Sequence, residues 1–155
     1  MNHIVLFRPD IPQNTGNIGR TCAATNTKLH LIKPLGFEIS DKHLKRAGMD
    51  YWYDLDITMH ESFDDFFENE KGNYYFISKF GEQFYHEQDY NVTDRDVYFI
   101  FGRETKGLPD EIKDKYRDRL MRIPMGKDFR SLNVSNTVAL ILYEALRQQG
   151  FRDLS

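Results

Sequence analysis

The chain has 155 residues, 40 % of them hydrophobic and 29 % charged, the composition of a single globular domain large enough to bury a real core. Its 21 basic and 24 acidic side chains give a net charge of −3, which taken alone argues against a nucleic-acid partner. One cysteine, Cys22, excludes a disulfide framework and a multi-cysteine zinc site. No apolar run approaches the ~20 residues that span a bilayer, and the N-terminus lacks the basic start and small-residue cleavage site of a signal peptide. A cytoplasmic protein with no membrane partner is expected. The histidines His3, His30, His43, His60 and His86 stand far apart, with no HxxxH or HxxEH spacing. No metal is expected, since a site for one would have to be assembled by the fold alone.

The predicted elements alternate along the chain. Residues 3–8 (HIVLFR) read as a buried strand closed by Pro9. Residues 15–26 read as a helix, with Asn14 or Thr15 as its N-cap. Residues 28–33 (KLHLIK) alternate with period two, a second strand. Ser40 caps a short basic helix that stops at Gly48. Residues 62–71 form an acidic helix with Phe63, Phe66 and Phe67 on one side. Residues 74–78 (YYFIS) and 97–101 (VYFIF) are continuous apolar runs of strand length. Pro109 suits the start of a helix reaching Tyr116, and residues 120–123 form a further short strand. A last helix over 133–149 aligns Val134, Val138, Ile141, Leu142 and Ala145 on one face. Strands that are apolar throughout, alternating with helices, predict an α/β fold with a mostly parallel sheet flanked by helices. Ligands of such sheets bind beyond the carboxyl ends of the strands, so the loops there carry the functional signal.

Three of those segments are unusual. PDIPQNTGNIGR (9–20) combines two prolines, two glycines, two asparagines and Arg20. Its glycines permit close backbone approach and its helix start suits a phosphate, although a Gly-rich turn before a helix would explain the same residues. FGRETKGLP (101–109) follows a strand and carries Gly102, Arg103, Glu104 and Lys106. It fails as a phosphate-binding Walker loop, because Gly107 is followed by Leu108 and Pro109. RIPMGKDFRSLNVSN (122–136) crowds Ser131, Asn133, Ser135 and Asn136 at the entrance of the last helix, where one residue suffices for a cap.

Taken in order, Asn14-Thr-Gly-Asn-Ile-Gly-Arg20, Phe101-Gly-Arg-Glu-Thr-Lys-Gly-Leu108 and Ile123-Pro-Met…Ser131-Leu-Asn-Val-Ser-Asn136 resemble the motifs of the SpoU/TrmH family of RNA 2′-O-methyltransferases, within the SPOUT superfamily. The resemblance runs from His3 to about Phe151. The opening IVLFRPDIPQNTGNIGR and the segment LKRAGMDYW are most similar to the short members, a single SPOUT domain without an RNA-binding extension, that methylate the tRNA wobble nucleotide, cytidine or uridine 34. The family implies a C-terminal trefoil knot, a homodimer, and S-adenosylmethionine as methyl donor. It implies a donor pocket around Ile77, Gly102, Ile123, Ser131 and Leu132. Its motif residues fall on Asn14, Arg20, Glu104 and Asn133, which become the catalytic candidates.

Methyl transfer is an in-line attack by a ribose 2′-oxygen on a sulfonium methyl, so the protein must position two reactants and manage a poorly acidic proton. Arg20 is expected to stabilise developing charge on that oxygen and to hold the neighbouring phosphate. A role as general base would require deprotonating a guanidinium. Asn14 and Asn133 are neutral groups able to orient Arg20 or the donor carboxylate, and Glu104 a group able to anchor Arg20 or a loop. Lys42, Lys45 and Arg46, followed by Tyr51, Trp52 and Tyr53, suit contacts with the phosphates and bases of an anticodon stem-loop. A solvated basic face beside core aromatics would look the same. A non-catalytic RNA-binding module, a phosphate hydrolase and the same chemistry at another tRNA or rRNA position are the rival readings.

The charge is unevenly spread. Residues 56–70 hold six acids and no Lys or Arg, and residues 82–96 hold five acids and Arg95. Together they carry −10 against a total of −3, which leaves +7 on the remaining residues, where all three motif segments lie. The expectation is a basic groove on an acidic protein, binding RNA less tightly as salt rises.

Overall fold

A computed structural model describes residues 1–39, 55–92 and 94–155. The predicted basic helix after Ser40, with Lys42, Lys45 and Arg46, and the aromatics Tyr51, Trp52 and Tyr53 lie outside the described residues. Among the described residues seven strands form one sheet: β1 (Asn2–Phe7), β2 (Lys28–Ile32), β3 (Ile57–His60), β4 (Asn73–Ile77), β5 (Gln83–Phe84), β6 (Val97–Phe101) and β7 (Leu120–Arg122). Their order is β3-β2-β1-β6-β4-β7-β5, and every pairing is parallel. Among the described residues four α-helices flank it: α1 (Pro12–Ala24), α2 (Phe63–Asn69), α3 (Asp110–Lys115) and α4 (Val134–Gln148). No described helix is long and apolar enough to cross a membrane.

The central strands explain the continuous apolar runs. Every residue of β1 and of β6 is buried, because helices cover both faces of a parallel sheet. On one face, Ile18 and Cys22 of α1 and Val138, Ile141, Leu142 and Ala145 of α4 pack on Ile4, Leu6, Leu29 and Phe99. Burial pushes the Cys22 thiol up to about 12, the behaviour of a small core hydrophobe. On the other face, Phe63 and Phe66 of α2 and Ile112 of α3 pack on Val5, Phe7, Phe76 and Ile100. Each such side chain contributes about 1.5–3 kcal/mol by leaving water.

Two expectations need correction. Helix α1 begins at Pro12 rather than Thr15, and its N-cap is Ile11, without a side-chain cap. Pro12 presets the helical φ and lacks the N–H that would otherwise need a partner, so Asn14 and Thr15 lie inside the helix rather than at its cap. The strand predicted from the period-two pattern is present as β2, and its polar His30 is fully buried. The strands β3 and β5 escape apolar patterning because one carries Thr58 and His60 and the other has two residues.

The order of the sheet positions the loops. Parallel strands bring all their carboxyl ends to one edge. The winding direction changes between β1 and β4, which flank β6, the crevice where such folds bind ligands. Strand β7 lies between β4 and β5, which are joined by residues 78–82 alone. That connection hugs β7: the Ser78 N–H donates to the Met121 carbonyl at 3.0 Å, and a Cβ on Gly81 would lie 2.8 Å from Leu120 O.

Candidate active site at the carboxyl edge of the sheet

A cavity of about 1280 Å³ opens at this edge, walled by the ends of β4, β6 and β7 and by the starts of α1 and α4. Its lining includes all five residues of the expected donor pocket, Ile77, Gly102, Ile123, Ser131 and Leu132. Asn14, Glu104 and Asn133 line it as well. Arg20 does not; it lies on α1 with its side chain exposed. Seven lining residues are Lys or Arg (Lys79, Arg103, Lys106, Lys113, Arg122, Lys127 and Arg130), against Glu104 as the one acid. The acids of the two acidic segments are absent from the lining, so the basic groove on an acidic protein is present.

The second motif folds into a tight closed loop. Arg103 N–H donates to the Gly107 carbonyl at 3.1 Å and Gly107 N–H returns to the Arg103 carbonyl at 2.8 Å. Gly107 has φ +68°, a left-handed conformation that favours glycine. A Cβ on Gly102 would stand 2.2 Å from Gly107 C and 2.4 Å from Leu108 N. The backbone of the loop therefore packs on itself at Gly102, which also lines the cavity.

Glu104 fixes the first loop to the second. Its carboxylate accepts from the Asp10 N–H at 2.8 Å and the Ile11 N–H at 3.3 Å. These amides lie just before α1, where the helix dipole also favours a negative charge. Of the roles open to Glu104, loop anchoring is the one its contacts supply. Asp10 completes the clasp: it accepts from Arg103 Nη2 at 3.0 Å and Nε at 3.4 Å, and from the Thr105 hydroxyl at 3.2 Å. The Arg103 hydrogen bond holds the Asp10 carboxyl below its ordinary range, against the opposing effect of partial burial. Sequence spacing does not single out Asp10, whose partner Arg103 is 93 residues away; an acid three residues after β1 is the available signal.

Asn133 links the third motif to the first. Its Oδ1 caps α4, accepting from Ser135 N–H at 2.9 Å and Asn136 N–H at 3.4 Å. Its Nδ2 donates to Asn14 Oδ1 at 3.0 Å. The two asparagines thus lock the starts of α1 and α4 together, rather than reaching Arg20. After β7 the chain is exposed from Pro124 to Asn133 and presents Met125, Phe129 and Leu132, which are 36 %, 74 % and 44 % exposed.

Three ordered motif segments converging on one cavity of a parallel α/β sheet find their match in a family profile, that of the SpoU rRNA Methylase family, over residues 1–143. The chain belongs to this family. A relative of this SpoU protein from Geobacillus stearothermophilus is 55 % identical over 99 % of this chain and 98 % of its own. A tRNA (cytidine(34)-2′-O)-methyltransferase from Saccharophagus degradans is 46 % identical over 97 % of both chains. A solved structure described as giving structural insights into the 2-OH methylation of C/U34 on tRNA superposes with a TM-score of 0.88 at 42 % identity, over 98 % of both chains. An AdoMet-bound rRNA methyltransferase from Sinorhizobium meliloti superposes with a TM-score of 0.81 at 27 % identity, over 94 % of this chain and 56 % of its own.

Proposed function

We propose that this SpoU protein transfers a methyl group from S-adenosylmethionine to the ribose 2′-oxygen of nucleotide 34 of tRNA, a cytidine or uridine, in the cytoplasm. The observation that carries this reading is the single basic cavity in which all three motif segments meet. The identities of 46 % and more to relatives spanning the whole chain, one of them a tRNA (cytidine(34)-2′-O)-methyltransferase, support the position. The residues present suit the donor. Apolar walls from Ile77, Leu108 and Ile123 accept an adenine ring, the bare backbone at Gly102 offers main-chain hydrogen bonds, and the basic rim accepts a carboxylate.

The donor supplies a methyl on a sulfonium, already an excellent leaving group. The 2′-oxygen attacks in line, forming its bond to the methyl carbon as the carbon–sulfur bond breaks. Its proton leaves to a phosphate oxygen or to water. Glu104, Asp10 and Arg103 hold the two loops that frame the cavity, and the Asn14–Asn133 pair fixes the helix starts behind it, a positioning contribution that reaches ~7–11 kcal/mol in well-oriented reactions. Arg20 stabilises charge on the attacking oxygen and holds the adjacent phosphate bidentately.

Because Arg20 does not line the cavity of its own chain, the working enzyme in this reading is a homodimer in which a second copy brings Arg20 to the donor. The exposed apolar residues Met125, Phe129 and Leu132, together with Leu140 and Tyr143 on α4, at 40 % and 47 % exposure, supply the apolar surface such a dimer buries. Lys42, Lys45 and Arg46 serve the anticodon stem-loop. The trefoil knot implied by the family would be drawn through the crossing of residues 78–82 over β7.

The test is transfer from S-adenosylmethionine to an unmodified tRNA transcript by the purified protein, with the methyl located by nuclease digestion and mass spectrometry. One methyl on the ribose of nucleotide 34, and none on a transcript carrying a 2′-deoxynucleotide there, is the expected result. Methylation at another nucleotide refutes the position, and failure to bind the donor refutes the chemistry.

A further inference from the structure

On the sheet face opposite α1 and α4, three histidines from three adjacent strands form a hydrogen-bonded row beneath α2. His3 Nε2 meets Asp96 Oδ2 at 3.0 Å, His3 Nδ1 meets His30 Nε2 at 2.9 Å, and His30 Nδ1 meets His60 Nε2 at 3.0 Å. All three imidazoles are buried, at 2 %, 0 % and 3 % exposure. Two carboxylates face the far end: Glu70 Oε1 lies 3.6 Å from His30 Nδ1, and Asp65 Oδ2 lies 4.0 Å from His60 Nδ1. None of these residues lines the cavity at the carboxyl edge.

The proton count along the row shows what it lacks. Asp96 accepts from His3, so the His3 proton sits on Nε2 and its Nδ1 must accept from His30. His30 in turn accepts from His60 Nε2. This order makes His30 Nδ1 an acceptor, with the Glu70 Oε1 acceptor 3.6 Å away. Two acceptors from different elements then face each other, the juxtaposition that a metal ion bridges.

We infer that His30 Nδ1, His60 Nε2 and a Glu70 carboxylate oxygen form a binding site for a divalent transition-metal ion of the zinc type, with one position open to water. One ligand atom from each of these three residues lies within 4.8 Å of the others. Tetrahedral zinc with bonds near 2.0–2.1 Å sets its ligand atoms about 3.4 Å apart, and the 3.0 Å and 3.6 Å separations bracket that spacing. Two neutral nitrogens and one carboxylate are the donor set that borderline divalent ions take.

The outer partners are already in place. When the ion binds, the His60 proton moves from Nε2 to Nδ1 and turns toward Asp65, so no proton is released. His30 keeps its Nε2 proton on His3, which is backed by Asp96. Glu70 Oε2 accepts from the Tyr98 hydroxyl at 2.9 Å. Every ligand is thus oriented by a second group, as in established metal sites. Glu70, with its side chain 22 % exposed, provides the entry path.

The test uses the full chain freed of any affinity tag, equilibrated with zinc, passed through metal-free buffer and analysed for metal content and melting temperature. One zinc per chain and a rise in melting temperature are expected. Glu70→Gln, which keeps an acceptor for Tyr98, and His60→Gln should each weaken binding at least ~10-fold. Should a variant fail to fold, ring ¹⁵N signals of the wild-type histidines decide: zinc must shift those of His30 and His60 and leave exposed His86 unchanged. Absence of stoichiometric zinc, undiminished binding by both variants, or unshifted His30 and His60 signals would overturn the site.

Discussion

Gly102→Ala probes the loop that frames the cavity. The new methyl carbon would meet Gly107 C at 2.2 Å and Leu108 N at 2.4 Å, both main-chain atoms that no side-chain rotation can move. The loop must part by more than about 1 Å to reach ordinary contact. Parting it breaks the reciprocal Arg103–Gly107 hydrogen bonds, worth about 0.5–1.5 kcal/mol each. A loss of about 2 kcal/mol lowers the melting temperature of a domain this size by about 4–8 °C. Binding of S-adenosylmethionine should fall further than stability if, as proposed, the donor bonds to the loop backbone at Gly102. Calorimetric titration with the donor and thermal unfolding read the two effects. Gly126→Ala is the control: its Cβ would meet nothing closer than Phe129 Cδ2 at 4.0 Å, and its melting temperature should stay within about 1 °C of wild type. Donor affinity within twofold of wild type in Gly102→Ala would refute this account of the loop.

Further expectations follow from the other contacts. Asn133→Ala removes a helix cap and the Asn14 bond, and should cost about 1 kcal/mol in denaturant unfolding. Asn133→Asp keeps the cap oxygen, should recover most of that stability, and should still lose the link to Asn14, read as weaker donor binding. Asp10 has its folded pKa depressed, chiefly by the Arg103 hydrogen bond, so its stabilisation is complete above its unfolded pKa of about 3.9 and is lost as pH falls through the lower folded value. The denaturation midpoints of wild type and Asp10→Asn should therefore differ at neutral pH and converge at the most acid pH. A gap that persists there would contradict the pairing. Arg20→Lys keeps the charge and loses the planar fork; its turnover should drop at least ~10-fold with donor affinity unchanged. Near-wild-type turnover would remove Arg20 from the chemistry.

Much of this was legible in the sequence, for reasons particular to each element. VYFIF is apolar throughout because β6 is covered on both faces, so its five residues alone define the strand. The α4 face is continuous because one side of a long helix packs on the sheet. What stayed hidden depends on distance or brevity. Nothing local distinguishes Asp10 from a turn residue, since its meaning comes from Arg103, and the start of α1 hinged on Asn14 serving Asn133 rather than its own helix. His3, His30 and His60 are 27 and 30 residues apart in sequence, a spacing with no periodic signature, and only the parallel pairing of β1, β2 and β3 sets them in a row. The global charge misled for a related reason: it averages acidic segments with a cavity whose lining holds seven cations.

The central claim concerns one atom of one nucleotide. It is tested most directly by nucleoside mass spectrometry of tRNA from cells lacking the gene and from the same cells complemented with it. The account predicts loss of 2′-O-methylation at position 34 in the deletion strain and its return with the wild-type protein, but not with Gly102→Ala. Wobble ribose methylation that is unchanged in the deletion strain would contradict it.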